Sequence, residues 1–315
     1  MPNSHHHFAL YLVPGFSLVA LSCVIDTLRA ANVDHGGPYY RWTLIGHNTN
    51  SVASSSGIAM SCSSHEQIDK YQTLIICGGD LSHLYSERAA LLWLSQQSRT
   101  GAVLGSISDG AYVAAAAGLF DKCRSTIHWK CQSAYRERFP RLDVRMSILE
   151  VDGNRFSCAG GTASLDLMLK FVADDLGGDV ASRIADNYFH DVIRGDDQVQ
   201  HMTSAFRYAA KDSRLSQALL LMEENLEDPL EVSDIAAQLD LSHRQLDRIF
   251  QDHLRTSPSA HYRSLRLLRA DGLLKQSELN IGEIALGCGF QSASHLSRHF
   301  KRQFGMTPSA YRKSR

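Results

Sequence analysis

The sequence feature that most constrains the fold of this chain is a repeat near its C terminus. The segment that begins at Glu231 reappears from Asn280 onward, at an offset of 49 residues that becomes 50 after one insertion, as expected of a duplicated structural unit. The matched pairs are Ile235-Ala236 with Ile284-Ala285, Leu241 with Phe290, Leu246 with Leu296, Arg248 with Arg298, Phe250 with Phe300 and Pro258-Ser259-Ala260 with Pro308-Ser309-Ala310. Each copy is therefore predicted to form a short helix, a tight turn and a second helix.

The second helix of each copy has one apolar and one polar face. In the second copy Leu296, Phe300 and Phe304 recur every four residues, so they face inward together. The outward face then presents hydrogen-bonding side chains, as the recognition helix of a DNA-binding domain does. Ser242 and Ser292 are candidate caps of the two helices. The predicted DNA-binding residues are His243, Arg244, Gln245, Arg248, Ser292, Ser294, His295, Arg298 and Arg302.

The charge distribution agrees with a nucleic-acid partner. The formal net charge is −1, yet no acidic residue follows Glu283, while this tail contains Arg298, Lys301 and Arg302. A basic segment attracts a polyanion, although a solvated face on a purely structural helical bundle is the alternative. Between the copies, residues 258–276 are predicted to form one continuous helix. Such a connector would fix the spacing of two recognition helices, which is about 34 Å for adjacent major-groove faces.

The second copy resembles a known family. Residues 289–312 read GFQSASHLSRHFKRQFGMTPSAYR, which is closely similar to the signature of the AraC/XylS family. The resemblance implies two helix-turn-helix subdomains that bind successive major grooves of double-stranded promoter DNA. It also implies that the chain activates transcription and contacts RNA polymerase.

The N-terminal part of the chain alternates apolar strands with helical patterns. The strand candidates are residues 8–13, 40–45, 73–77 and 102–107, and helix candidates between them are residues 19–31 and 88–99. Such alternation is typical of a parallel sheet with helices on its faces. The predicted fold class is an α/β N-terminal domain, with helices on both faces of a parallel sheet, followed by an all-α C-terminal domain with two helix-turn-helix units.

One strand end has the pattern of a nucleophile elbow. Residues 106–110 read SISDG and are followed by a helix of small residues, an arrangement that lifts a nucleophile into a pocket in α/β enzymes. With residues 118–121 and 126–129, this segment resembles the PfpI-like branch of the class I glutamine amidotransferase fold. Together with the C-terminal signature, it is similar to the GlxA-type AraC/XylS regulators. Enzymatic relatives have a cysteine at the elbow, where this chain has Ser108. The elbow is therefore expected to be vestigial, with His128 as its candidate base, and no catalytic residue is predicted.

A pocket without a nucleophile suits a sensor, because a bound metabolite can bias two conformations without being consumed. Two carboxylates in the cleft would favour a cationic group, and aromatic rings would add attractive faces for it. The resemblance implies the same class of effector, namely amino acids, amines or quaternary ammonium compounds. Asp26 as a surface carboxylate and His128-Trp129 as a packed pair are the alternatives. The predicted ligand-binding residues are Asp26, Ser108, Asp109, Tyr112, His128 and Trp129.

Length and composition indicate two globular domains. The 315 residues are 44% hydrophobic and 21% charged, close to the averages for globular proteins, and no apolar stretch is long enough to cross a bilayer. We predict a ligand-sensing and dimerisation domain at residues 8–193, a linker at 194–212 and a DNA-binding domain at 213–315. Seven scattered cysteines without an export signal predict reduced thiols and a cytoplasmic location.

The interpretation that accounts for both halves is a ligand-gated transcription regulator. A hydrolase with an appended DNA-binding domain is one alternative, and it requires Ser108 to act as a nucleophile. A ligand-independent DNA-binding protein is the other. The helices predicted at residues 165–172 and 180–188 are expected to form the interface of a homodimer. Neither a cofactor nor a metal ion is expected.

Overall fold

The computed structural model describes residues 6–65, 68, 70–196, 198, 200 and 212–314. The chain divides into two compact units, which we call the sheet unit, residues 1–128 and 139–200, and the helical unit, residues 129–138 and 201–315. The helical unit thus includes a short segment from the middle of the N-terminal sequence. Most of the predicted linker at 194–212 lies outside the described residues.

A mostly parallel sheet forms the centre of the sheet unit. In chain order the strands are β1 (His6–Leu12), β2 (Tyr40–Gly46), β3 (Ser51–Ala53), β4 (Ala59–Ser61), β5 (Ser63–Ser64), β6 (Thr73–Cys77), β7 (Val103–Ile107), β8 (Arg124–Ser125), β9 (Asp143–Val144), β10 (Leu149–Asp152) and β11 (Arg155–Cys158). Within the described residues, seven of them join in the order β10-β11-β7-β6-β1-β2-β5. Only β10 and β11 pair antiparallel in this sheet. The predicted parallel sheet is confirmed.

The structure has a helix at each position where the sequence predicted one, although α1 ends four residues later than predicted. In chain order they are α1 (Leu18–His35), α2 (Arg88–Gln97), α3 (Gly110–Ala116), α4 (Gln132–Arg138), α5 (Ala163–Leu176), α6 (Gly178–Asn187), α7 (Ser213–Glu224), α8 (Val232–Gln238), α9 (His243–Leu254), α10 (Pro258–Gln276), α11 (Ile281–Gly287), α12 (Ala293–Phe304) and α13 (Pro308–Lys313). The connector predicted at residues 258–276 is confirmed as α10. None of the described helices is long and apolar enough to cross a membrane.

Helices cover both faces of the sheet because its central strands are apolar on both sides. Alternate residues of β1, such as Phe8 and Leu10, enter one core together with α1, α5 and α6. On the other face, the ring of Tyr11 stacks on Trp93 of α2, with their centroids 5.9 Å apart. Burial of this kind contributes about 25 cal/mol per Å² of apolar surface, so the two helical layers stabilise the sheet from both sides.

The helices predicted to form a dimer interface, α5 and α6, contribute to the core of the sheet unit. Most apolar side chains of α5 are buried inside the sheet unit, in the core with α1 and α6. Phe171 and Leu176 of α5 are only partly buried. In α6 the inward residues Ala181 and Ile184 are buried in the same core. An interface on these helices stays a prediction, and it would use the side chains that this core leaves exposed or partly buried.

The helical unit has two small cores joined by one long helix. The first core contains α7, α8 and α9 with the N-terminal half of α10, including Tyr262 and Leu265. The second contains α11 and α12 with the C-terminal half of α10, including Leu267 and Leu274. Because a single helix contributes to both cores, the two helix-turn-helix copies are held in a fixed relation by α10. The predicted duplication is confirmed.

Candidate functional site

The elbow after β7 has the conformation that the sequence predicts. Ser108 is in the left-handed region with φ 55°, directly between β7 and α3. Its N–H donates to the carbonyl of Cys158, at 3.1 Å. A β-carbon on Gly160 would lie 2.6 Å from the β-carbon of Ser108, so only glycine allows the β11 loop to approach the elbow this closely.

Several loops meet at the carboxyl ends of the parallel strands. The β1 and β6 loops join through the N–H of Ser17, which donates to the carbonyl of Gly78 at 3.0 Å. The N–H of Gly79 donates to the hydroxyl of Ser82 at 2.9 Å. In open α/β sheets this edge is where ligands bind. The elbow therefore lies where the fold class places its ligand crevice.

Two predicted ligand residues lie directly at the elbow. Asp109 precedes α3 and is 5% exposed, and Tyr112 in α3 is 2% exposed. The ring centroid of Tyr112 lies 6.1 Å from that of His83 and 6.3 Å from that of Phe139. A carboxyl group this deeply buried costs free energy unless it is paired or hydrogen-bonded. Asp109 is thus a buried group at the elbow and not a surface charge.

Asp26 occupies a different environment from the one predicted. It lies on the outward side of α1, and its side chain is 52% exposed. One carboxylate oxygen accepts a hydrogen bond from Nε of Arg29, at 3.1 Å. These contacts are those of a helix-surface ion pair, the alternative that the sequence had left open. They give no support to the prediction that Asp26 faces the cleft.

The predicted pair His128 and Trp129 is divided between the two units. His128 is half-buried and is the last residue of the first segment of the sheet unit. Trp129 begins the segment that belongs to the helical unit, where the ammonium of Lys130 lies 5.3 Å from its ring centroid. Tyr112 and Trp129, the two aromatic residues predicted to contact the ligand, therefore belong to different units.

The thiols near the elbow are poorly suited to nucleophilic chemistry. Cys77 and Cys158, at the ends of β6 and β11, are both buried. Burial raises the pKa of the Cys158 thiol to about 11 and also raises the pKa of Cys77. The thiolate is the reactive form of cysteine, so neither group is activated at neutral pH. The elbow itself offers a hydroxyl group.

A buried ion cluster at the end of the sheet unit was missed by the sequence reasoning. Asp166 in α5 is fully buried and accepts hydrogen bonds from Nε of Arg194, at 2.9 Å, and from its backbone N–H, at 2.8 Å. Nε2 of His190 lies 2.7 Å from the same carboxylate. The available signal was a single acidic residue in the otherwise apolar face of α5. Arg194, predicted to begin the linker, is instead anchored to α5.

The predicted recognition helices, α9 and α12, expose most of the residues assigned to DNA. On α9 these are His243, Arg244 and Arg248, and the side chain of Arg248 is 84% exposed. On α12, Ser294, Arg298 and Arg302 are exposed. All of these side chains lie opposite the buried stripe that includes Phe250 or Phe300. Both helices can therefore present cationic and hydrogen-bonding groups to a major groove.

Three of the predicted DNA-binding residues make structural contacts within the helical unit. Gln245 completes a capping box with Ser242 at the start of α9. The hydroxyl of Ser292 caps α12 by accepting from the N–H of His295, at 3.1 Å. Nε2 of His295 lies 3.0 Å from Nε2 of His299, and the ring packs on the edge of Phe290. Base contacts by these three residues remain predictions, and their structural roles are the ones supported by contacts.

Comparisons with known proteins match both units. The family model for the DJ-1/PfpI family matches residues 7–174, and the model for a helix-turn-helix domain matches residues 235–314. The HTH-type transcriptional regulator GlxA of Rhizobium meliloti is 38% identical, with 96% of this chain and 94% of GlxA covered. The chain belongs to the AraC/XylS family of transcription regulators. It is of the GlxA type, in which a DJ-1/PfpI domain precedes the DNA-binding domain.

Further relatives support the same assignment for this regulator. The HTH-type transcriptional regulator CdhR of Pseudomonas aeruginosa is 35% identical, with 96% of this chain and 90% of CdhR covered. A solved structure described as an AraC family transcriptional regulator from Pseudomonas putida has a TM-score of 0.53 at 22% identity. It covers 58% of this chain and 99% of its own. That likeness shows a shared fold, and the sequence relatives show the family.

Proposed function

We propose that this regulator is gated by a small molecule that binds at the elbow of the sheet unit without being converted. The observation that supports this proposal is the retained elbow conformation of Ser108 in the absence of a cysteine. A non-glycine residue in the left-handed region costs about 1–3 kcal/mol and persists only where its surroundings impose it. Strain of this kind is concentrated at ligand and catalytic sites.

The buried carboxyl group of Asp109 suggests the chemical class of the effector. An opposite charge nearby favours the charged form of a carboxyl group, so a bound cation and an ionised Asp109 would stabilise each other. An amino acid, an amine or a quaternary ammonium compound would supply such a charge, and Tyr112 beside it would add an aromatic face. The effector proposal therefore depends on Asp109 and does not require Asp26 or Trp129.

The remaining parts of the proposal concern the assembly on DNA. The regulator would act in the cytoplasm as a homodimer that binds promoter DNA through α9 and α12 and activates transcription by contacting RNA polymerase. An isologous dimer matches the two-fold symmetry that many operators have. Elution as a monomer at micromolar concentration, both alone and with operator DNA, would count against the dimer.

A thermal-shift screen against amino acids, polyamines, guanidines and quaternary ammonium compounds tests the effector site. Specific binding to the native state raises stability, by about 2.7 kcal/mol when the ligand is at 100 times its Kd. We expect a stabilising compound whose effect is lost in Asp109→Asn and kept in the matched exposed variant Asp26→Asn. Loss of the effect in Asp26→Asn, with the effect kept in Asp109→Asn, would place the ligand site at Asp26 in α1. No stabilisation by any compound at millimolar concentration would contradict a cationic effector.

Hydrolysis is the second candidate, because Ser108 retains the geometry of an elbow nucleophile. A serine attacks a carbonyl only when a base accepts its proton, and His128 would have to serve. Turnover of amide or ester substrates that is abolished in Ser108→Ala would establish this activity. Absence of turnover in the wild type, on the same panels, would remove it.

A further inference from the structure

A segment of the N-terminal sequence belongs structurally to the helical unit. Residues 129–138 lie within the range that matches the DJ-1/PfpI family, residues 7–174. They nevertheless group with residues 201–315, and the sheet unit resumes at Phe139. The chain therefore passes between the units at 128–129 and at 138–139, in addition to the passage after Gln200. We call residues 129–138 the docking segment.

The docking segment packs on the C-terminal half of α10. Ala134 is 1% exposed and belongs to the second core of the helical unit, together with Ala270 and Leu274. Nε2 of Gln276 donates to Sγ of Cys131, at 3.2 Å. Apolar burial and a polar contact thus fix the segment at two points along the same helix. It contributes to the core that also positions α12.

Gly272 is the position in α10 that permits this packing. A β-carbon at residue 272 would lie 2.8 Å from the carbonyl oxygen of Lys130. That distance is below van der Waals contact, and the atom approached belongs to the backbone, so the segment would have to move. Glycine in the interior of a helix is unfavourable relative to alanine. The close approach of the docking segment explains why α10 contains one.

We infer that the docking segment controls the DNA affinity of the helical unit, with Gly272 as the positioning residue that lets it pack on α10. Movement of the segment displaces the helix shared by both helix-turn-helix copies, because α10 contributes to both cores. Where it concerns the effector, this inference rests on the proposed function. His128, a predicted ligand contact, is bonded directly to Trp129, so a ligand that shifts His128 would also move the start of the docking segment.

The test substitutes Gly272 in the full chain and needs no effector. Gly272→Ala and Gly272→Leu favour helix formation, so α10 is retained while the segment is displaced. Gly178→Ala and Gly178→Leu are the matched controls, because a β-carbon there meets nothing within 4 Å. The first measurement is the alkylation rate of Cys131, which is 4% exposed in the native structure. The second is the affinity for a duplex that the wild-type protein selects from random DNA.

We expect at least tenfold faster alkylation of Cys131 in the Gly272 variants, with the Gly178 variants like the wild type. We also expect at least a threefold change in DNA affinity, larger for leucine than for alanine. Wild-type protection of Cys131 in Gly272→Leu would show that the segment does not pack against this residue. Faster alkylation with unchanged DNA affinity would show that the segment packs on α10 but does not control DNA binding. Both results overturn the inference, and neither depends on whether an effector exists.

Discussion

The two recognition helices of the helical unit share a buried side and differ on their exposed side. In α9 and α12 the residues Phe250 and Phe300 are fully buried at matching positions. On the outside, α9 carries the pairs His243 with Asp247, at 3.1 Å, and Arg248 with Asp252, at 3.6 Å. No acidic residue occurs in α12. Duplication has preserved the packing residues, while the surface charge of the two copies has diverged.

Because of this difference in surface charge, we expect the two copies to contribute unequally to DNA affinity. The cations of α12 have no acidic neighbour on their own helix, so their attraction for phosphates is not reduced there. In α9, contact with DNA would have to break exposed ion pairs, although each such pair contributes only about 0–1 kcal/mol. We therefore expect α12 to supply the larger share of affinity, and the following experiments test how far the asymmetry extends.

The largest expected effect is on the free energy of unfolding, and it comes from the buried phenylalanine that the two copies share. Phe250→Ala and Phe300→Ala should each lower the free energy of unfolding by about 3–5 kcal/mol, because both create a cavity in a small core. Urea denaturation of the full chain, followed by helical circular dichroism, measures the loss. Exposed Leu220→Ala, whose side chain is 37% exposed, should change stability far less. A large loss for only one phenylalanine would show that the two cores are not equivalent.

The next largest effect is on DNA affinity, and it distinguishes the exposed surface of α9 from that of α12. Arg298→Ala should cost about 1–3 kcal/mol at one specific base pair if its guanidinium binds a guanine edge. Arg248→Ala should cost less, because that guanidinium is already paired with Asp252. Fluorescence anisotropy with operator duplexes mutated at single base pairs gives both values at one salt concentration. Equal losses on every sequence would assign these arginines to phosphates, and a larger loss for Arg248→Ala would reverse the proposed asymmetry.

Helix caps should have a smaller and nearly equal effect in the two copies. Ser242→Ala and Ser292→Ala each remove a side-chain bond to the first turn, which typically costs about 1 kcal/mol. Gln245→Ala should add to the loss only in the first copy, because Gln245 closes a capping box there. Thermal unfolding of the single and double variants measures these differences. If Gln245→Ala left stability unchanged but weakened DNA binding, its predicted base contact would gain support.

The smallest effect is a pH dependence of stability that comes from a pair of histidines in the second copy. Burial, with Arg298, Arg266 and Arg263 nearby, lowers the pKa of His295. Burial also lowers the pKa of His299, as do the charges of Arg263, His295, Arg298 and Arg302. The neutral forms are thus favoured in the folded state. The resulting stability is present above the usual histidine pKa of about 6.5 and is lost as pH falls through the lower folded values.

The measurement compares urea unfolding at pH 7, 6 and 5 in the wild type and in a double variant with His295→Gln and His299→Gln. We expect the wild type to lose more stability on acidification, since the variant lacks both groups. The corresponding residues of the first copy, Gln245 and Ile249, do not titrate. Identical pH profiles for the two proteins would show that the histidine pair contributes nothing to acid sensitivity.

The periodic parts of the molecule could be predicted from the sequence, because burial has a regular spacing in helices and strands. Leu296 and Phe300 mark the inner face of α12 by position alone, and the elbow at Ser108 follows from a strand, a turn and small residues. The site was less predictable. Asp26 and Asp109 both lie in segments that follow a parallel strand, and nothing in the local pattern distinguishes the exposed carboxylate from the buried one.

What the sequence alone determined is the duplicated helix-turn-helix unit, the parallel α/β domain and the resemblance that joins them, because local periodicity and motif spacing carry that information. Only the tertiary structure showed which polar side chains take part in helix caps or ion pairs, as Gln245 and Asp26 do. It also decided that Asp166 holds Arg194 and that residues 129–138 pack on α10 beside Gly272. The contacts of Asp166 and of residues 129–138 join residues that are distant in the chain, and no local pattern records them.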